Sequence, residues 1–249
     1  YIGPLLLIVL TLGLATFSSS MAETLEQHLL HRVYYEVGAD LRLVESGASP
    51  AGEEDLVVAS SSAPSSGGAA AEGEGQEEEN AIRWLFLPVL EHLAIPGVQG
   101  AARVGTYEAT ARVVDGTVEG RFVGVDRLDF MSVAFFRRDF SDAPLGALMN
   151  ILALRSDALL VHRSFLAEHG LKIGDRLELL VRAFGDTRRV SFTVAETLDY
   201  FPGVYPEDGP FFVGNLEYLF QEMGRQYPYD VWLKTDGRDA QEIARGVEE

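Results

Sequence analysis

The sequence predicts an α+β fold with a split β-α-β-β-α-β order, a smaller inserted β-rich lobe and an N-terminal helix on which both are mounted. Three observations predict it. The chain opens on a long uncharged apolar run. Residues 81–94 carry an apolar stripe at helical spacing and are followed by a hairpin over 98–126. A second hairpin, over 177–197, precedes the last helix and strand.

The N-terminal run predicts a transmembrane helix. Residues 1–22 contain no charged side chain, and roughly 20 apolar residues are enough to span the hydrocarbon core of a bilayer. Leu25, Leu29 and Val33 then recur at four-residue spacing, which predicts that the helix continues as a stalk over residues 23–37. Two alternatives are a secretory signal peptide, with small residues at its end that could form a cleavage site, and a helix buried in a protein core.

Charge and cysteine content exclude several classes of protein. The chain of 249 residues has a formal net charge of -18, so it would repel nucleic acid, whose binding depends on Lys and Arg. Eight of its acidic residues lie between residues 46 and 80, a stretch rich in Ser, Gly and Ala that we predict to be a disordered acidic loop. The chain has no cysteine, which excludes disulfides, thiol catalysis and cysteine-ligated zinc.

The remaining pattern predicts two lobes. We assign residues 38–127 and 211–249 to the first lobe and residues 128–210 to an inserted second lobe. The predicted elements of the first lobe are a strand at 39–45, a helix at 81–94, strands at 98–114 and 118–126, a helix at 215–223 and a strand at 229–234. Those of the insertion are short helices at 128–140 and 144–154, a strand at 158–161, a helix at 163–169, and strands at 177–184 and 190–197.

The candidate interaction site is a loop at residues 200–210. It holds Tyr200, Phe201 and Tyr205 among prolines and glycines, and exposed aromatic side chains mark contact sites. The aromatic run at 130–140 is a second candidate surface, although its phenylalanines are more simply explained as core residues.

No convincing catalytic, cofactor or metal site is present in the sequence. His28 and His31 are three residues apart on the stalk but lack a third ligand. His162 lies two residues from Ser164, where the serine is expected to start a helix rather than act as a nucleophile. Asp139 and Asp142 lie beside arginines and fit a solvated rim. A membrane-anchored hydrolase is therefore the weakest of the alternatives.

Three stretches carry a family resemblance. The first is the apolar helix and stalk that run into GADLRL at residues 38–43. The second and most specific is the strand–helix unit ALLVHRSFLA at 158–167, followed by GLKIGDRL at 170–177. The third is DVWLKT at 230–235. These stretches resemble the extracytoplasmic domain of the FtsX-like (MacB-type) permeases of ABC transporters, and the acidic segment 46–80 departs from that family pattern.

The resemblance implies both a fold and a function. It implies a porter-like lobe of split βαβ type with an inserted lobe, on the extracytoplasmic side of the cell membrane. It also implies a membrane-embedded permease dimer, a cytoplasmic ABC ATPase on a separate subunit or domain, and no enzymatic activity or cofactor in this chain. The domain would couple ATP hydrolysis to an extracellular conformational change or to substrate export. The alternative is a single-anchor extracellular binding module that captures a lipid, lipoprotein or peptide through the 200–210 loop.

Overall fold

The structure, a computed structural model, describes residues 2–45 and 86–237 together with the single residue Ile243. The predicted acidic loop at 46–80 lies outside the described residues, as do the first five residues of the helix predicted at 81–94. Within the described part of that helix, only α2, Val89–His92, is helical.

The N-terminal helix α1, Ile2–Val37, is one continuous element of 36 residues, as the pattern predicts. At 1.5 Å per residue it is roughly 54 Å long. Within the described ranges, no helix is long and apolar enough to cross a membrane. The predicted membrane span at 1–22 is therefore not confirmed.

The other helices and strands lie close to their predicted positions, except that the helix predicted at 128–140 is helical over only the four residues Phe130–Val133. The strands are β1 (Leu41–Glu45), β2 (Val98–Val113), β3 (Gly116–Val125), β4 (Ala158–His162), β5 (Arg176–Ala183), β6 (Asp186–Leu198), β7 (Phe211–Asn215) and β8 (Tyr229–Thr235). The remaining helices are α3 (Phe130–Val133), α4 (Leu145–Leu154), α5 (Arg163–His169) and α6 (Leu216–Met223). Asn215 caps α6, because its side-chain oxygen accepts a hydrogen bond of 3.0 Å from the backbone N–H of Glu217.

The eight strands form one sheet in the order β1-β8-β2-β3-β7-β4-β6-β5. The long strand β2 connects its two ends. Along one edge β2 pairs with β3, and along the other it pairs first with β8, up to Val104, and then with β5, from Glu108 onwards. The pairings β2-β3-β7-β4-β6-β5-β2 therefore close into a ring, and β8 and β1 extend the sheet beside it.

This topology differs from the predicted two lobes. The strands β4, β5 and β6 belong to the segment 128–210, yet they pair with β7 and with β2 in the same sheet as the first lobe. The sheet has no break at residue 128 or 211, so the finer arrangement of separate split-βαβ and inserted lobes is not confirmed. Local alternation identifies strands, but only pairings between distant residues decide which strands share a sheet.

Each face of the sheet carries its own apolar core. Alternate strand residues point to one core with α5 and α6, which includes Phe122, Phe192 and Phe220. The other strand residues point to a second core with α3 and α4, which includes Phe130 and Trp232. The helix α1 meets the sheet on this second side.

Candidate functional site

The carboxyl end of α1 is fastened to the sheet, and we call this contact region the joint. The joint consists of residues 31–38 at the end of α1, the segment 135–140, the loop 199–205 and Trp232 of β8. Aromatic side chains of the first three parts contact one another there, and the ring of Trp232 lies against Gly38. The joint is the part of the domain through which the long helix and the sheet are in contact.

A glycine ends α1 at the surface of a tryptophan ring. The N–H of Gly38 donates to the Tyr34 carbonyl at 2.8 Å, and Gly38 has a φ of +86°. A Cβ atom at this position would lie 2.1 Å from a ring carbon of Trp232. Only glycine permits both this backbone conformation and this close approach.

Tyr35 is the most extensively bonded residue of the helix end. Its backbone carbonyl accepts a hydrogen bond from the N–H of Gly203 at 2.7 Å, and its hydroxyl donates to the carbonyl of Val204 at 2.5 Å. Its ring packs edge-on against Phe140 at 5.5 Å and lies 5.1 Å from the ring of Tyr205. One residue of α1 is therefore fixed to the 199–205 loop by both its backbone and its side chain.

The segment 135–140 fixes the opposite side of the helix end. The N–H of Phe135 donates to the carbonyl of Gly38 at 2.7 Å, and its ring stacks on Tyr34 at 5.3 Å and lies 6.1 Å from His31. These contacts extend over two helical turns, so the helix end is held at several points in this structure.

The two segments that grip α1 are also bonded to each other. The carbonyl of Phe140 accepts hydrogen bonds from the N–H groups of Asp199, at 2.9 Å, and Tyr200, at 3.2 Å. Arg163, at the start of α5, forms ion pairs of 2.7 Å with both Asp142 and Asp199. The joint is therefore connected to α5 and, through it, to the core inside the ring of strands.

The chain enters and leaves the sheet at the same place. The strand β1 runs antiparallel to β8, with Leu41 opposite Leu233. Asp40, just before β1, accepts a hydrogen bond of 2.9 Å from the N–H of Thr235 and pairs with Lys234 at 3.0 Å. The end of α1 and the last residues of β8 are consequently held side by side.

Burial of the joint changes the ionisation of Tyr35. Burial is the main cause that raises the pKa of its phenol well above the usual value, and the nearby Tyr205 and Glu207 raise it further. The folded domain thus favours the protonated hydroxyl, which is the form that donates to Val204.

Replacing Tyr35 with phenylalanine is expected to destabilise the domain by about 1–2 kcal/mol, because the buried Val204 carbonyl loses its donor. The raised pKa means that the hydroxyl stabilises the fold fully below pH ~10 and loses this effect as the pH rises toward the folded pKa. The difference between wild type and variant in urea unfolding should therefore shrink in strongly alkaline solution. Tyr200→Phe, an exposed neighbour, is the control; an equal loss in both variants would contradict the assignment.

The predicted interaction loop is placed in the joint. Phe201 is buried, with 0% of its surface exposed, and stacks on Phe130 at 5.5 Å. Tyr205 is half-buried against Tyr35, whereas Tyr200 is 44% exposed. The expectation that these aromatics are exposed therefore holds for Tyr200 and fails for Phe201, because the loop packs on α1 and on the second core. Whether the loop binds a ligand remains a prediction.

The other candidate residues form local contacts. The Ser164 hydroxyl lies 2.9 Å from Nδ1 of His162, at the point where β4 passes into α5. Arg137 pairs with Asp139 at 2.9 Å on the surface. Across the described part of the chain, no group of three or more histidine, aspartate or glutamate side chains could hold a metal ion.

Two residues of the joint escaped sequence reasoning. The sequence pattern places Tyr35 in the stalk, and Trp232 in the last strand and in the DVWLKT stretch, but predicts no contact for either. The adjacent pair Tyr34–Tyr35 immediately before the helix-ending Gly38 was the available signal, because two large aromatics at a helix end require a surface to cover them.

Comparisons with known proteins find distant structural similarities but no sequence match. No family model and no curated protein matches the chain. Among solved structures, it is similar to the extracellular domain of the noncanonic ABC-type transporter YknZ from Gram-positive bacteria, at 15% identity and a TM-score of 0.40, over 64% of this chain and 75% of that one. It is also similar to the periplasmic region of MacB from Actinobacillus actinomycetemcomitans, at 7% identity and a TM-score of 0.39, over 70% and 77%.

The first of these is described as an extracellular domain and the second as a periplasmic region. The similarity is distant, so the functional inference below rests on the chain's own residues and contacts.

Proposed function

We propose that this chain is the extracytoplasmic domain of an ABC-transporter permease, and that α1 couples ATP-driven movement in the cytoplasm to the domain. The observation that carries the proposal is the joint, in which Tyr35 and Gly38 bond a single long helix to the sheet on two sides. A continuous helix is stiff, and a helix fixed at its end transmits displacement instead of absorbing it.

The exposed apolar surface of α1 supports a membrane setting. Its first half presents large apolar side chains on all sides, each more than half exposed in the isolated chain: Leu7, Val9, Leu10, Leu12, Leu14, Phe17 and Met21. A helix that is apolar all round is stable only when lipid or protein covers it. We propose that residues 1–22 lie in the membrane and that residues 23–37 form the stalk.

The adjacency of entry and exit also supports the proposal. The hydrogen bond between Asp40 and Thr235 holds the two ends of the domain together at the base of α1. A domain built in this way fits between two membrane helices of a permease, because the chain can leave the membrane and return to it at one place. The cytoplasmic ATPase partner and a permease dimer belong to the same proposal.

The arrangement favours coupling over ligand capture by a single-anchor module. Of the three loop aromatics, Phe201 is buried and Tyr205 packs on Tyr35 of the same chain. Residues that hold the helix end are not free to form a ligand surface, which leaves Tyr200 as the exposed aromatic among the three.

Cysteine labelling in intact cells tests the membrane topology. The chain has no cysteine, so each introduced one reports alone. Gln221→Cys, on the exposed side of α6, is expected to react with a membrane-impermeant maleimide without cell lysis. Gly13→Cys, in the apolar run, is the matched control and should react only after detergent solubilisation. Labelling of Gln221→Cys only after lysis would refute the extracytoplasmic placement.

A further inference from the structure

Trp232 lies at the centre of the joint, between two glycines. Its ring edge is covered on one side by Gly38, whose Cβ would lie 2.1 Å away, and on another by Gly203, whose Cβ would lie 3.5 Å away. The side chain is only 2% exposed. The end of α1 therefore rests directly on the indole ring, with no side chain between them.

The indole N–H of Trp232 is a hydrogen-bond donor that the end of α1 does not satisfy. Its Nε1–H is buried, and no atom of the described residues accepts a hydrogen bond from it. Two polar groups of the helix end are bonded, the Tyr35 hydroxyl and the Gly38 carbonyl. A buried donor without a partner destabilises the state that contains it. The contact between α1 and the sheet is therefore less stable than it would be if this donor were satisfied.

The backbone on both sides of the indole can change conformation at little cost. Gly38 has a φ of +86° and Gly203 a φ of +80°, and glycine occupies positive and negative φ about equally well. These two residues also carry the bonds that hold the helix end, through the Gly38 carbonyl and the Gly203 N–H. The points of attachment are thus also the most adjustable points of the joint.

We propose that the joint is a two-position switch and that this structure holds its docked position. In the docked position the end of α1 sits on Trp232 and leaves the indole N–H unpaired. In the second position the helix end moves off the ring by rotation at Gly38 and Gly203, and the N–H gains a partner. The inference rests on the proposed coupling role of α1 and identifies the residue that senses its position.

Trp232 is placed to pass such a movement into the sheet. In β8 it lies opposite Arg42 of β1 and Ala102 of β2, so it sits where β8 is paired with a strand on each edge. Its ring lies 5.5 Å from that of Phe130, which stacks on Phe201 of the 199–205 loop. A shift of the indole therefore acts on three strands and on the loop that grips Tyr35.

The fluorescence of Trp232 tests the switch directly. Trp84 is the other tryptophan of the chain, so a Trp84→Phe background leaves Trp232 as the single reporter. The full chain in mild detergent should show a blue-shifted emission that acrylamide quenches weakly. Tyr35→Phe removes one bond of the docked position and should shift the emission to the red and raise the quenching constant, with unchanged far-UV circular dichroism.

Tyr107→Phe is the matched control, because Tyr107 also donates to a backbone carbonyl, that of Pro228 at 3.0 Å, but in the other core. It should leave the Trp232 signal unchanged. Identical emission and quenching in Tyr35→Phe and in the parent would overturn the switch. If Tyr35→Phe fails to fold, Tyr205→Leu, which removes a half-buried ring contact of Tyr35, replaces it with the same criterion.

The outcome is separable from that of the proposed function. If Trp232 shows two positions but breaking the stalk does not abolish coupling, the switch stands and the coupling role is refuted. If breaking the stalk abolishes coupling but Trp232 does not respond, the coupling role stands and the switch is refuted.

Discussion

Substituting proline for Leu29 is expected to uncouple the domain from the ATPase while the domain itself stays folded. Proline in a helix interior removes a backbone hydrogen bond and clashes with the preceding turn, at a cost of about 3 kcal/mol. Leu29 is 53% exposed on the stalk, outside both cores of the domain. The break therefore interrupts α1 between its apolar half and the joint without removing a core contact.

The measurement is an ATP-dependent change in labelling. A cysteine at Glu207, exposed beside the 199–205 loop, is labelled with a maleimide in the complete transporter, with and without ATP. ATP should change the labelling rate in the parent and not in Leu29→Pro. Leu29→Ala, which preserves the helix, is the matched control and should respond like the parent. An intact ATP response in Leu29→Pro, with an unchanged melting temperature, would show that movement does not travel through α1.

Replacing Gly38 with alanine is expected to destabilise the domain more than adding one methyl group at any other position of the joint. The new Cβ would lie 2.1 Å from the Trp232 ring, so either the ring or the helix end must move. Overpacking of this kind costs about 1–3 kcal/mol. A positive φ costs a non-glycine residue about 1–2 kcal/mol more. The expected loss is therefore about 2–5 kcal/mol in urea unfolding.

Gly224 provides the matched control for the backbone contribution. Its φ of +83° is close to that of Gly38, but nothing lies within 4 Å of the position that a Cβ would occupy. Gly224→Ala should therefore lose only the conformational part, about 1–2 kcal/mol. Equal losses in the two variants would mean that the contact with Trp232 does not hold the helix end, and the joint would need to be reassigned.

Much of the secondary structure follows from local patterns. Gly38 ends α1, Asn215 caps α6 and Gly116 lies in the turn between β2 and β3, each next to an element boundary that the sequence predicts. Each of these features depends on residues within a few positions of itself, so composition and spacing are sufficient to predict it. The predicted helices at 81–94 and 128–140 are exceptions, since within the described residues they are helical only over α2 and α3, of four residues each.

The candidate site was predictable only in part. The sequence identified the loop 200–210 by its aromatics, but an aromatic residue is equally suited to a contact surface and to a core. Phe201 is buried because Phe130, 71 positions earlier, stacks on it. Tyr35 holds the helix because its hydroxyl meets the carbonyl of Val204, at a separation of 169 residues. No local pattern encodes such pairs.

The sequence by itself determined that a long helix, uncharged in its first part, precedes an α+β domain of alternating strands, since these properties depend on spacing and charge along the chain. Only the tertiary structure decided that β2 bonds to β5 and closes the ring, that the predicted lobes share one sheet, and that α1 ends on Trp232. The physical reason is that side-chain periodicity fixes which face of an element is apolar, whereas the choice of partner for that face is made by packing between residues far apart in the chain.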